Sequence, residues 1–341
     1  MAYTTINKST DYFNTKLYTG NGSTQSITGV GFQPDLTWIK GRSDASWHRL
    51  QDAVRGATKE IYSNGSNAEG TDANTLTSFN SDGFSLGTAT DYNGNSRTQV
   101  AWNWKANGAG SANTDGSTNS TVSVNTTAGF SIVKYTGTGS QTTVGHGLGV
   151  VPDVMIIRNL SSTEDWSVYH SANGAGYYQA LNTTEASSSN NNRFNVAPTS
   201  SVFTVNTHHS VNKSGDNHIA YCFAGKTGFS KFGSYKGNGN ADGTFVYTGF
   251  KPSFVMIKEK SSSGYQWTIV DNKRSSSNSS SMKWLFPDSN GSETTESTWD
   301  LLSNGFKQRA NHSYVNHSGT HIYMAFGQSL VGSNNVPCTA R

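Results

Sequence analysis

Three stretches of this chain carry one pattern, which means that it folds as a set of similar units. Tyr18-Thr19-Gly20-Asn21-Gly22 returns as Tyr135-Thr136-Gly137-Thr138-Gly139 and as Tyr235-Lys236-Gly237-Asn238-Gly239. Each is followed by a proline and an apolar run: Pro34-Asp35-Leu36-Thr37-Trp38-Ile39-Lys40, Pro152-Asp153-Val154-Met155-Ile156-Ile157-Arg158 and Pro252-Ser253-Phe254-Val255-Met256-Ile257-Lys258. The tyrosines step by 117 and then 100 residues. Trp47, Trp166 and Trp267 keep the same order after the prolines. Each copy closes on an apolar segment: Val100-Ala101-Trp102-Asn103-Trp104, Ile219-Ala220-Tyr221-Cys222-Phe223 and Ile322-Tyr323-Met324-Ala325-Phe326. Self-similarity of this kind sets the architecture before any single motif does.

The repeat divides the 341 residues into units of about 100, each large enough to close around its own core. The expected units are 1–106, 129–227 and 228–341. Residues 107–128 are almost all small and polar and read as a flexible Gly/Ser/Thr/Asn linker. No such spacer separates the second and third units. The expectation is one unit on a tether and a closely coupled pair.

Within each unit the apolar runs are short, β-branched or aromatic, and bounded by Gly, Asn and Pro. Strands are expected at 130–136, 153–158, 166–170, 202–206, 218–224, 245–248, 253–258, 266–270 and 321–326. The continuous runs Val154–Ile157 and Phe254–Ile257 read as central strands covered on both faces. Helical periodicity is nearly missing; 49–56 and 297–303 could each form a short helical turn. The fold class is therefore all-β: three tandem units, each a sandwich or barrel of short strands.

Charged residues are only 14% of the chain, whereas 36 are glycine, so its polarity is neutral and turn-forming. Aromatic residues at 11% argue against disorder. A formal charge of +3, scattered along the chain, does not suggest a nucleic-acid partner. No run approaches the roughly 18–20 apolar residues that would suggest membrane insertion. The N-terminus shows no apolar export signal, so synthesis in a cytoplasm is expected. Cys222 and Cys338 form no disulfide framework or zinc pattern; Cys222 reads as a buried thiol.

Searching for chemistry yields little. There is no Gly-x-Ser-x-Gly elbow, and the Gly-x-Gly turns lack the strand-to-helix setting of a phosphate cradle. His208 and His218 line up with His312 and His321 in the third unit, a pattern that could hold a metal or simply flank a hairpin turn. The turn is the favoured reading, and no metal or cofactor is assigned. Glu69, Glu185 and Glu293 occupy similar places in the units and read as solvated loop carboxylates rather than a catalytic pair. No catalytic residue is assigned. The repeated tryptophans read as core. Glycan contact fits the composition best, because exposed aromatic faces and neutral amides suit hydroxyl-rich ligands. The candidate glycan-binding residues are Tyr92, Tyr177, Tyr178, Trp299 and Tyr314, aromatics that the copies do not share.

Ser9-Thr10-Asp11-Tyr12-Phe13-Asn14-Thr15-Lys16-Leu17-Tyr18-Thr19-Gly20 resembles the opening of virion proteins of marine tailed phages of cyanobacteria and other ocean bacteria. Gly29-Val30-Gly31-Phe32-Gln33-Pro34-Asp35, Ser214-Gly215-Asp216-Asn217-His218-Ile219-Ala220-Tyr221-Cys222-Phe223-Ala224, Phe245-Val246-Tyr247-Thr248-Gly249-Phe250-Lys251-Pro252 and Val336-Pro337-Cys338-Thr339-Ala340-Arg341 continue the likeness. The resemblance implies three tandem β-sandwich repeats of jelly-roll or concanavalin-like type, in a virion structural protein at the tail periphery. It would be a tail fibre or receptor-binding component contacting host surface glycan and other virion proteins, and a homotrimer by analogy with phage fibres. A capsid decoration or head-fibre protein and a virion polysaccharide depolymerase are the alternatives.

Overall fold

The computed structural model describes residues 4–275, 281–296 and 298–331. Cys338 and the C-terminal segment that contributes to the resemblance lie outside the described residues. The chain is all-β, built of antiparallel sheets with four short helical turns among the described residues, one of them a 3-10 turn at Ser9–Asp11. Each expected strand forms to within a few residues. The expected helical turns give way to strands: Arg49–Asp52 is a strand buried throughout, with a single turn after it in which the Gly56 amide donates to the Asp52 carbonyl at 3.0 Å, and Trp299–Leu302 is a strand that buries Trp299 and Leu301.

Each unit has one large sheet with the same core order. In the first unit Phe13–Thr19 pairs with Thr98–Trp104, which pairs with Leu36–Gly41, which pairs with Arg49–Asp52. The second repeats this with Phe130–Thr136, Asn217–Phe223, Val154–Asn159 and Ser167–His170. The third uses Ser230–Lys236, Thr320–Ser329, Phe250–Glu259 and Thr268–Asp271. A smaller sheet covers the outer face of each: Gln25–Thr28 with Gly83–Leu86 and Leu76–Asn80, Thr142–Gly145 with Val202–Val205, and Phe245–Tyr247 with Gly305–Gln308 and Trp299–Leu302.

The expected linker is not a linker. Ser111–Asn113 and Ser120–Asn125 are strands that extend the large sheet of the second unit through Phe130–Thr136. Ser111–Asn113 is the edge, and Ser120–Asn125 inside it is paired along both sides and packs Val122 into the core of the unit.

Nor does the first unit stand apart. The closing strand of each unit alternates with period two. Trp102 and Trp104, Tyr221 and Phe223, and Met324 and Phe326 face one core shared by all three units. Ala101, Ala220 and Cys222, and Tyr323 and Ala325 face the unit's own sandwich. This explains why these strands read as continuously apolar: both faces are covered. The equivalent residues Trp104, Phe223 and Phe326 meet one another, with ring centroids 6.3, 5.8 and 5.8 Å apart, so a pseudo-threefold axis runs between them.

Contacts between units follow the same rotation. The amides of Glu69, Ser187 and Glu293 donate to the carbonyls of Leu160, Lys260 and Arg42 at 2.9, 2.9 and 3.0 Å. Each bond joins a loop of one unit to the strand end of another, and the third returns to the first unit. The ring is closed. The cation that ends each post-proline strand is buried and makes the equivalent reach. Arg158 donates to the Asn67 carbonyl, Lys258 Nζ to that of Thr184 at 3.1 Å, and Lys40 Nζ to that of Asn290 at 3.4 Å. Burial lowers the Lys40 and Lys258 ammonium groups to about 8. The Gly-x-Gly turns have a steric cause. A Cβ on Gly20, Gly137 or Gly237 would overlap the carbonyl oxygen of Gly94, Lys213 or His317.

Candidate functional site

The copies differ in chemistry at one outer position, between the strand that begins at Arg49, Ser167 or Thr268 and the helical turn Thr90–Asn93, His209–Asn212 or Ser313–Asn316. The turn itself is held identically. Asn93, Asn212 and Asn316 each accept through Oδ1 from the backbone amide inside the Gly-x-Gly loop, at 3.1, 2.8 and 3.1 Å. This fixes a common frame in which the linings can be compared residue by residue.

In the first unit the pocket, about 380 Å³, is an ion-pair network. The Arg49 guanidinium lies between the rings of Tyr62 and Tyr92, 5.6 and 5.0 Å from their centroids. It pairs with Asp91 and stands 3.6 Å from Glu60, whose two oxygens accept from the Tyr62 and Tyr92 hydroxyls at 2.6 Å. Every charge here has an internal partner. Tyr92 is 1% exposed and offers no face to a glycan.

In the second unit, Ser167, Tyr178 and Ser210 take the places of Arg49, Glu60 and Asp91. A guanidinium is still present, but it comes from Arg193 in the loop. Arg193 donates to Ser167 Oγ at 2.7 Å and lies 3.6 Å over the Tyr178 ring. A pocket of about 350 Å³ opens beside it, lined by Glu164, Asn192, Thr207, His208 and His209. Tyr177 is 46% exposed at its edge strand and Tyr178 is half-buried.

In the third unit the pocket is filled by rings. Trp284 meets Trp299, Phe286 and His312, and Tyr314 packs edge-on to Phe286 and Tyr265 at 6.0 and 6.2 Å. Trp299 is 1% exposed and belongs to the core, so it too is removed as a glycan platform. Tyr314, Tyr265, Phe286 and His317 are half-buried and leave edges at the surface.

The repeated histidines are structural. His208 and His312 accept from the amides of Ser210 and Tyr314 and cap the helical turns. His218 and His321 are buried and stack on Tyr135 and Tyr235 at 5.2 and 4.9 Å. Among the described residues no group of three or more His, Cys, Asp or Glu is placed to hold a metal.

The glutamates divide. Glu69 and Glu293 are not solvated. Glu69 pairs with buried Arg55 at 3.2 Å, while Glu293 pairs with buried Arg274 at 3.2 Å and with Arg42 at 2.9 Å. These arginines in turn bind Asp52 and Asp271, which accept from Tyr221 and Trp102 of a neighbouring unit at 2.8 and 3.0 Å. Glu185 is exposed and sits two residues before Ser187, the true equivalent of the other two. At the matching place the second unit has His170 in place of the aspartate. Its Nε2 lies 3.1 Å from the Tyr323 carbonyl, and burial lowers the imidazole to about 4. The tryptophans shift similarly. Trp166 and Trp267 are buried and donate to the carbonyls of Tyr62 and Ala180 in the adjacent unit at 2.8 and 2.9 Å. In the first unit that position is His48, and Trp47 is only half-buried beside it.

Arg193 was legible as an anomaly: it is the only Lys, Arg, Asp or Glu between Glu185 and Lys213. Nothing in the sequence, however, placed it where Arg49 lies. The comparison with curated proteins and that with solved structures found no match. A family described as a domain of unknown function, DUF7483, matches residues 8–329, and the chain belongs to it. That span covers all three units and the supposed linker as one domain.

Proposed function

We propose that this member of the DUF7483 family is a non-catalytic, glycan-binding structural component of a virion, carried at the tail periphery where it meets the host surface. The observation that carries the binding part is the contrast within the ring. Three units share core, interfaces and turn frame, yet the same outer position is an ion-paired pocket in the first, an open pocket in the second and a packed set of rings in the third. Repetition with divergence at one surface position suits recognition by several weak contacts, because linked sites add avidity without new contacts per site. The virion part rests on the resemblance of the opening and internal motifs to marine phage virion proteins.

One chain presents three edges about one axis, the arrangement that a homotrimer supplies in fibres. We propose that a single chain does this work, and light scattering of the purified protein would return the mass of one chain. Glu293, held by two arginines, is unsuited to act as a free acid or base, which weighs against a depolymerase using it.

The test is direct. Purified protein applied to host-derived polysaccharide should bind without releasing reducing sugar, and immunogold labelling should mark the tail tip at a few copies per particle. Labelling across the capsid at high copy number would transfer the protein to the decoration alternative. Reducing-sugar release would make it an enzyme.

A further inference from the structure

We infer that the pocket of the second unit is a site for a carboxylate-bearing sugar, with the carboxylate seated against the Arg193 guanidinium. The inference deepens the glycan reading and rests on it for the sugar, but the carboxylate follows from hydrogen-bond accounting.

Arg193 is 5% exposed and has no carboxylate within ion-pair distance among the described residues. Its Nε is buried without a partner. Its Nη2 faces His208 Nε2 at 3.3 Å. The other nitrogen of that ring, Nδ1, lies 3.1 Å from the Ser210 backbone amide and 2.8 Å from Ser210 Oγ. The guanidinium therefore meets only neutral groups, Ser167, His208 and the Tyr178 ring, and its Nε meets none. Leaving a buried donor of a charged group unmatched is costly, and an anionic oxygen seated against the guanidinium satisfies it.

The first unit shows what the position accepts. There the guanidinium of Arg49 meets two carboxylates, Glu60 and Asp91. In the second unit those positions are Tyr178 and Ser210, neither of which carries charge. The guanidinium has been kept and its carboxylates removed, and a pocket of about 350 Å³ stands open beside it. Asn192 and Thr207 in that lining supply neutral hydrogen-bonders for hydroxyls, and Tyr177 stands exposed nearby on the strand that carries Tyr178. Glu164 also lines the pocket. It stands 3.9 Å from His209, outside ion-pair distance of Arg193.

The experiment is ligand-observed saturation-transfer NMR on the full chain, titrating sodium D-glucuronate, D-glucose and sodium acetate at matched ionic strength. Glucuronate should bind saturably and at least about tenfold more tightly than either glucose or acetate, the difference expected from one charge-assisted contact added to the ring contacts. Arg193→Gln should weaken glucuronate about tenfold and leave glucose unchanged. Tyr178→Glu restores the carboxylate of the first unit; it should abolish glucuronate binding while the melting temperature stays level or rises, which separates loss of the site from loss of the fold. Glucuronate binding no tighter than glucose or acetate, or surviving both substitutions, would overturn the inference. If host glycan still bound in that event, the broader reading would stand without this site. If glucuronate bound as expected and host glycan did not, the site would stand and the broader reading would fall.

Discussion

The centre of the ring and its rim are built from the same repeat under opposite demands. At the centre, Trp104, Phe223 and Phe326 come from equivalent positions and must fit one another. The three residues can vary in kind but not in being large and apolar. At the rim, the equivalent pockets never touch one another. They carry an ion-pair network, an arginine without a carboxylate, and a stack of rings. Contact across the axis couples the copies, and its absence at the rim releases them. Divergence between internal repeats is therefore informative about function only where the copies are not packed together.

The largest effects should come from the centre. Phe326→Ala or Trp166→Ala removes a buried ring and should cost about 3–5 kcal/mol, lowering the melting temperature of the whole chain rather than of one part. Asp271→Asn removes the carboxylate that Arg274 Nε and Trp102 Nε1 share and leaves buried Arg274 with Glu293 as its one remaining ion-pair partner among the described residues. A loss of about 3 kcal/mol is expected in urea unfolding. His170 at the matching position shows that the ring can close without this pair, so Asp271→His with a compensating Arg274→Asn should recover part of the loss.

A pH effect sharpens the same comparison. Asp288 stands where the other units carry Asn64 and Asn182, which accept from the amides of His48 and Trp166. Burial raises its carboxyl to about 7, against the neighbouring Lys258 charge that lowers it. The folded protein thus binds a proton at this site more tightly than the unfolded chain, whose carboxyl titrates near its ordinary value. The stabilising contribution is fully present below that ordinary value and is lost as pH rises towards 7. Asp288→Asn should therefore gain on the wild type in thermal melts between pH 4.5 and 7.5, with little difference at the acid end. Smaller still, Trp47→Ala should cost about 1 kcal/mol, well under Trp166→Ala, because His48 and not Trp47 fills the buried position. Tyr177→Ala at the exposed rim should fall within about 0.5 kcal/mol.

Much of the fold was legible because period-two patterning and turn residues act locally. The strands around Val154, Phe254 and Ile322 stand where their apolar runs lie. The ring was not legible, since the face of Trp104 that meets Phe223 looks, in sequence, like the face that meets its own sandwich. Composition misled at 107–128, because Ser, Asn and Thr can build a strand when backbone ladders and a few valines hold it to an apolar neighbour. One-residue offsets misled at Trp47 and two-residue offsets at Glu185, as loops of unequal length slide the spacing while backbone bonds keep the register. Of the candidate glycan residues, Tyr177, Tyr178 and Tyr314 lie at the rim. Tyr92 and Trp299 were drawn inward because an aromatic in a variable loop can serve as a plug as readily as a platform.

The central claim is that three units make one closed body, with no tethered part. Differential scanning calorimetry of the full chain tests it most directly. A closed ring predicts one transition whose calorimetric and van't Hoff enthalpies agree, shifted as a whole by Phe326→Ala. Two separable transitions, with residues 1–106 melting independently and unmoved by Phe326→Ala, would contradict it.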